Sequence, residues 1–148
     1  MSRVIWQPAP AKIIEEMLKI AGVKPGELVI DLGSGDGRIP IIAARKFHAK
    51  AIGIEINPLL FFYSRIRVRL AGLDDRVKIV RGNFYKADVS EADVVTFFLN
   101  QTANERLSPK LKRELKSGAR IISYYWTLPD WPLIKSDPLL EIYLYVKK

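Results

Sequence analysis

The chain contains no cysteine, which excludes both a disulfide framework and a thiolate metal site. It holds one histidine, His48. A lone imidazole cannot by itself make a histidine-clustered metal centre or a Ser-His-Asp triad, and its position near a helix end reads as surface. No metal is expected. No run of about 18 apolar residues is present, so no membrane span is expected. The N-terminal "MSRVIWQPAPAKIIEEML" breaks its apolar residues with prolines and charges, so the sequence predicts no signal peptide and a cytoplasmic protein. There is no repeat, low-complexity tract or Gly/Ser linker. A length of 148 residues at 49% hydrophobic content therefore suits one domain, residues 1–148, with a substantial core. Acidic residues are fewer than basic ones, leaving a net charge of +8. That excess serves solubility, or a weak electrostatic contact with nucleic acid.

What is present alternates. Ala11 to Ala21 carries Ile13, Ile14, Met17, Leu18 and Ala21 at helical spacing, and "GVKPGE" stops it. Leu28 to Leu32 is a short apolar strand. A helix follows from Arg38 to Phe47, with Pro40 tolerated in its first turn. "AKAIGIEI", "DRVKIVRGN", "EADVVTFFLN" and "ARIISYYW" read as further strands. "NPLLFFYSRIRVRLAGL" and "TANERLSPKLKRELKSG" read as helices, the latter broken or restarted at Pro109. The tail predicts a hairpin turning at "SDP", with a last strand from Glu141 to Val146. Alternating strands and helices imply a parallel sheet covered on both faces. Ligands of such sheets bind at the carboxyl ends of the strands. Here those ends are Gly33–Gly37, Glu55–Pro58, Gly82–Tyr85, Leu99–Thr102 and Ser123–Trp126.

The first of these stretches, within "VIDLGSGDGRIP", restricts the ligand. Glycines stand at 33, 35 and 37, whereas a dinucleotide loop needs its third glycine where Arg38 stands. Asp36 lies inside the loop, where a negative charge opposes a pyrophosphate. A P-loop ending is absent. A cationic nucleoside without phosphate fits better, and S-adenosylmethionine is one. Asp31 and Asp36 are candidates to hold its cation. Glu55 ends the second strand, where a carboxylate accepts from ribose hydroxyls and disfavours a 2′-phosphate. Asn83 ends the third strand, where its amide reaches an adenine edge.

"DLGSGDGRI", "GIEINP" and "GNF" together resemble class I S-adenosylmethionine-dependent methyltransferases. The likeness is closest to small archaeal protein-lysine methyltransferases. These are related to the mitochondrial enzymes that methylate lysine on the ATP synthase c-subunit and the adenine nucleotide translocase. The resemblance implies a Rossmann-like α/β fold: a mostly parallel seven-stranded sheet with an antiparallel C-terminal strand and helices on both faces. It implies cofactor contacts from Asp31, Gly33, Ser34, Gly35, Asp36, Gly37, Glu55, Ile56, Asn83 and Phe84. Residues 1–22 are expected to cover the cofactor site, with Trp6 and Pro8 folding over the opening, since the segment precedes the first helix and carries an aromatic with no partner in its own sequence neighbourhood. Its expected partners are proteins bearing exposed lysines.

The acceptor half departs from those relatives. "WQPAP" stands where they show Tyr-x-Pro-Thr-Pro, "FFLN" where they show "LYLL", and "SYYW" where they show a Ser-His-Asp-Phe-like stretch. Phe97, Phe98, Tyr124, Tyr125 and Trp126 could build a desolvated aromatic channel that steers an ammonium and favours its neutral form. Strand alternation sends about half of such residues into the core. Phe98, Asn100 and Tyr125 are the catalytic candidates. Asn100 orients the acceptor amine or caps the following helix. Two alternatives stay open: methylation of RNA or DNA, and a non-catalytic module binding cofactor or nucleic acid.

Overall fold

The computed structural model describes residues 7–148. Trp6, expected over the opening, lies outside them. The elements run in the order α1 (Ala11–Ile20), β1 (Leu28–Leu32), α2 (Arg38–Phe47), β2 (Lys50–Glu55), α3 (Pro58–Leu70), β3 (Val77–Arg81), β4 (Val94–Phe97), α4 (Gln101–Glu114), β5 (Arg120–Tyr124), β6 (Lys135–Asp137) and β7 (Ile142–Val146). The strands form one sheet in the order β3-β2-β1-β4-β5-β7-β6. The first five are parallel, and β7 runs antiparallel to both β5 and β6. This is the Rossmann-like sheet the motifs imply. The strand order reverses between β1 and β4, which opens a crevice at their carboxyl ends.

Strand alternation divides the core in two. Val29 of β1 and Ala51 of β2 face the side covered by α1, α2 and α3, where Ile14, Met17, Ile41 and Val68 pack. Ile30, Leu32 and Ile54 face the other side, against Leu107 and Leu111 of α4. Burial on both faces explains why these strands are apolar without alternation.

Two features differ from the sequence reading. Pro109 neither breaks nor restarts a helix, because α4 runs unbroken from Gln101 to Glu114. An interior proline costs about 3 kcal/mol. Here Pro109 sits on the exposed side with Glu105, the residue whose carbonyl loses its donor, so water can solvate that oxygen. Leu107 and Leu111, both fully buried, hold the two halves of the helix to the sheet. The terminal hairpin turns one step later than "SDP". Asp137 ends β6, and its carboxylate accepts from the amides of Leu139 and Leu140.

Candidate functional site

The loop after β1 is fixed by its backbone. The amides of Gly33 and Ser34 both donate to the carbonyl of Ile54, each at 2.9 Å. Gly33 has φ +79°, and a Cβ there would lie 2.9 Å from Leu99 Cδ2. Only glycine takes that conformation without strain. Gly53 of β2 serves a different need. A Cβ on it would stand 2.7 Å from both Cβ and Oγ of Ser34, so the loop rests directly on the bare strand. Gly53→Ala is expected to displace the loop, costing about 1–3 kcal/mol as overpacking. It should weaken cofactor binding by about tenfold for each 1.4 kcal/mol. Adding Ser34→Gly should recover part of the loss. Melting temperature and calorimetry on the single and double variants check this.

Glu55, at the end of β2, is buried and faces the loop. Gly35 N–H donates to its Oε1 at 2.7 Å, and Asn57 N–H donates to its Oε2 at 2.9 Å. Asn57 in turn caps α3, accepting from the amides of Leu59 and Leu60. One carboxylate thus sets the loop and the start of α3 around itself.

Asp36 has a different role from the one its loop position implies. Arg38 donates to both of its oxygens, with Nη2 at 2.7 Å from Oδ2 and Nε at 3.1 Å from Oδ1. Arg67 Nη1 approaches the same Oδ2 at 3.0 Å and donates to the Asp36 carbonyl at 2.9 Å. Burial opposes ionisation, but the Arg38 and Arg67 guanidinium groups outweigh it and hold the Asp36 carboxyl below its ordinary range. Its charge is therefore already neutralised, and it is not the bare anion that would grip a cation or repel a pyrophosphate. The mismatch to a dinucleotide loop rests instead on Arg38 replacing the third glycine. Arg38 Nη1 also donates to the carbonyl of Ala9 at 3.1 Å, which latches the N-terminal segment to the loop.

Asp31 differs from Asp36 in the partner it has. It is buried at the end of β1, and its hydrogen-bond donor is a neutral hydroxyl, Thr96 Oγ1 at 2.8 Å. Burial, with the nearby carboxylates of Glu55 and Asp36 adding to it, pushes its pKa up to about 7.

These groups line one cavity of about 570 Å³ at the switch point, within the range of small-molecule sites. Gln7, Pro8 and Ala9 line it as well, as do Ile56, Asn83, Phe84, Tyr85 and Arg106. Asn83 Oδ1 accepts from Tyr85 N–H, which directs its role there to the amide nitrogen. Arg106 lies 4.0 Å over the Tyr85 ring. The buried Ser34 Oγ in the wall has no partner among the described residues. Among the described residues, a buried acid with a neutral donor, a hydroxyl without a partner and a carboxylate beside bare glycine backbone fit S-adenosylmethionine, which presents an ammonium, a sulfonium and ribose hydroxyls. Among the described residues there is no cluster that would hold a metal.

The acceptor candidates separate. Phe98 lines the cavity and packs against Tyr124, ring centroids 4.7 Å apart. Phe97 is fully buried core. Asn100 is not in the cavity wall. Its Oδ1 accepts from Ala103 N–H at 2.8 Å as the cap of α4, so its carbonyl is spent and does not orient an amine. Tyr125 also lies outside the wall, 49% exposed, with φ +71° and its ring against Trp126. The left-handed turn ends the strand's alternation there, so Tyr124 takes the place beside Phe98. The sequence reading missed Arg38 and Arg67 as site residues. The arginine directly after the glycine loop was the available signal, whereas the Arg67 contact spans 31 positions and has no local signature.

Comparison with known proteins agrees with this geometry. Residues 31–135 match the model of the ANTKMT methyltransferase domain family. A protein-lysine N-methyltransferase of Saccharolobus islandicus (strain REY15A) is 46% identical over 134 residues, covering 86% of this chain and 80% of the relative. The ATP synthase c-subunit lysine N-methyltransferase of Homo sapiens is 39% identical over 124 residues, 84% of this chain and 52% of the relative. The chain thus spans about half the length of that curated relative. A crystal structure of an RNA methyltransferase from Salinibacter ruber in complex with S-adenosyl-L-homocysteine superposes with a TM-score of 0.90 at 36% identity. It covers 95% of this chain and 92% of that one.

Proposed function

This chain belongs to the ANTKMT methyltransferase domain family and is an S-adenosylmethionine-dependent methyltransferase, and from that premise we propose that it methylates lysine side chains of proteins. The observation that carries the reading is the 46% identity to an archaeal protein-lysine N-methyltransferase over most of both chains. The site supports it through Phe98, which lines the cavity just after β4 with the Tyr124 ring packed against it.

The bound cofactor supplies an electrophilic methyl group on a good leaving group, so the chain need not furnish a nucleophile. Its own residues have three tasks. Asp31, Glu55 and the glycine loop fix the cofactor. Arg38 holds the Gln7–Ala9 segment against the cavity and limits water. Phe98, braced by Tyr124, receives the acceptor, attracting an ammonium to its face while a dry wall favours the neutral amine that reacts. Alignment of the two reactants then supplies most of the rate. Recognition through the lysine side chain alone gives broad tolerance of neighbouring residues.

A second reading has a specific observation behind it, the 36% identity to a protein named as an RNA methyltransferase. Incubating the enzyme with labelled cofactor and cell extract separates the two. Label that survives nuclease, is lost with protease and maps to lysine by mass spectrometry supports the proposal. Label lost with nuclease overturns it.

Phe98→Ala is expected to lower kcat by about 10- to 100-fold, the range of a misaligned approach, with cofactor affinity nearly unchanged. Tyr125→Ala should stay near wild type, because that ring lies outside the cavity. Steady-state kinetics beside calorimetry test both.

A further inference from the structure

Helix α3 buries Ser64 and Val68 and turns its other side to solvent. At 3.6 residues per turn, Leu59, Phe62, Tyr63, Ile66 and Leu70 fall within an arc of about 100°, opposite those buried positions. Each of the five is more than half exposed. Scattered apolar residues need no explanation, but a contiguous ridge of this kind marks an interaction site. The helix "PLLFFYSRIRVRL" carries no acid and three arginines. Arg67 flanks one side of the ridge and is engaged by Asp36. Arg65 and Arg69 flank the other. They also line a groove of about 890 Å³ between α3 and β3, together with Lys50, Arg76 and Lys78. Asp74 and Asp75 enter that groove only past the end of the helix.

We infer that the α3 ridge docks the protein reversibly on an anionic lipid surface. The ridge is exposed, two of its residues, Phe62 and Ile66, border the groove, and cations flank it, the form in which an interfacial helix immerses its apolar side while arginines meet headgroup phosphates. A second copy fits less well. A helix of 13 residues is about 20 Å long, and its single ridge falls well short of the roughly 800 Å² per partner of a stable interface. A two-fold pairing would also bring one set of arginines toward the other. Among the described residues no helix is long and apolar enough to cross a membrane, so the contact would be peripheral. It would be weak, since one short ridge and a few arginines give only marginal affinity.

The test is co-sedimentation of the whole chain with vesicles of equal parts phosphatidylcholine and phosphatidylserine, and with phosphatidylcholine alone. Phe62→Ser/Ile66→Ser is the main variant and Arg65→Gln/Arg69→Gln the second. All four positions are outside the cofactor cavity, and unchanged melting and cofactor binding would certify the fold. The inference expects binding to the anionic vesicles only, about tenfold weaker in the serine variant and in the glutamine variant. Absence of binding overturns it, as does equal binding by the serine variant, which would reduce the effect to net charge. Light scattering that shows a dimer abolished by the serine substitutions also overturns it, assigning the ridge to a second copy. An acidic protein partner that protects the ridge while vesicles do not is a fourth contrary result.

Discussion

Glu55→Ala is expected to remove cofactor binding and to loosen the apo protein at the same time. The carboxylate has two sets of partners. One set is internal: Gly35 N–H and Asn57 N–H, at 2.7 and 2.9 Å. The other is the pair of ribose hydroxyls expected from its place at the end of β2. A charge-assisted hydrogen bond contributes about 1.5–3 kcal/mol, so loss of the ribose contacts should raise Kd by about 100-fold or more. The internal bonds add a second effect. Removing their acceptor leaves a buried amide at Gly35 unsatisfied, at about 1–3 kcal/mol. The sequence alone implies a Glu55 free for the ligand, with its loss confined to affinity; the structure makes it a brace as well. Glu55→Gln separates the roles. Its carbonyl still accepts from Gly35, while its amide meets the Asn57 N–H as a donor. Melting should therefore recover in part while calorimetry still reports weak binding. An unchanged Kd in the alanine variant would leave Glu55 with the brace alone.

Much of this architecture was legible because its signals are local. The apolar run Leu28 to Leu32, the glycines at 33, 35 and 37 and the acid at 55 are each fixed by a backbone need within a few residues. Asp31, Gly33 and Glu55 from these stretches line the cavity at the switch point. The acceptor side was harder, because its residues answer to two physical demands at once. An asparagine before a helix satisfies a cap as readily as it orients a substrate, and Asn100 is spent on Ala103. Alternation along β5 predicts parity only while the strand lasts, and the left-handed Tyr125 breaks it. Arg67 and Asp36 meet across 31 positions, through the packing of α3 beside the loop, which no spacing rule expresses. Pro109 failed as a helix breaker because tertiary burial of Leu107 and Leu111 outweighs an intrinsic preference.

Asp31 gives the largest expected dependence on pH. Its ordinary pKa is 3.8, and in the folded protein without ligand it is pushed up to about 7, chiefly by burial. Below about pH 4 both folded and unfolded chains hold the proton, and the residue imposes no penalty. Between about 4 and 7 the unfolded chain releases the proton while the folded chain keeps it, so stability falls as pH rises. Above about 7 the folded chain releases it too and the loss is complete, on the order of 4 kcal/mol. The apo protein should accordingly melt at a lower temperature at pH 8 than near pH 5, against the trend set by Asp36 and Asp93, whose lowered pKa values favour the folded state above the acid range. Asp31→Asn keeps the shape and the acceptor for Thr96 Oγ1 but has nothing to ionise. It should flatten the slope and stabilise the apo protein above pH 7. Ligand binding should show the opposite sign, because a cationic cofactor favours the ionised form. Affinity for S-adenosylmethionine should rise through about pH 7 with release of a proton, and the asparagine variant should bind weakly at every pH. Melting curves from pH 5 to about 8, with calorimetry in buffers of different ionisation heat, measure both halves. Equal slopes in wild type and Asp31→Asn would show that the buried carboxyl is not the group that titrates.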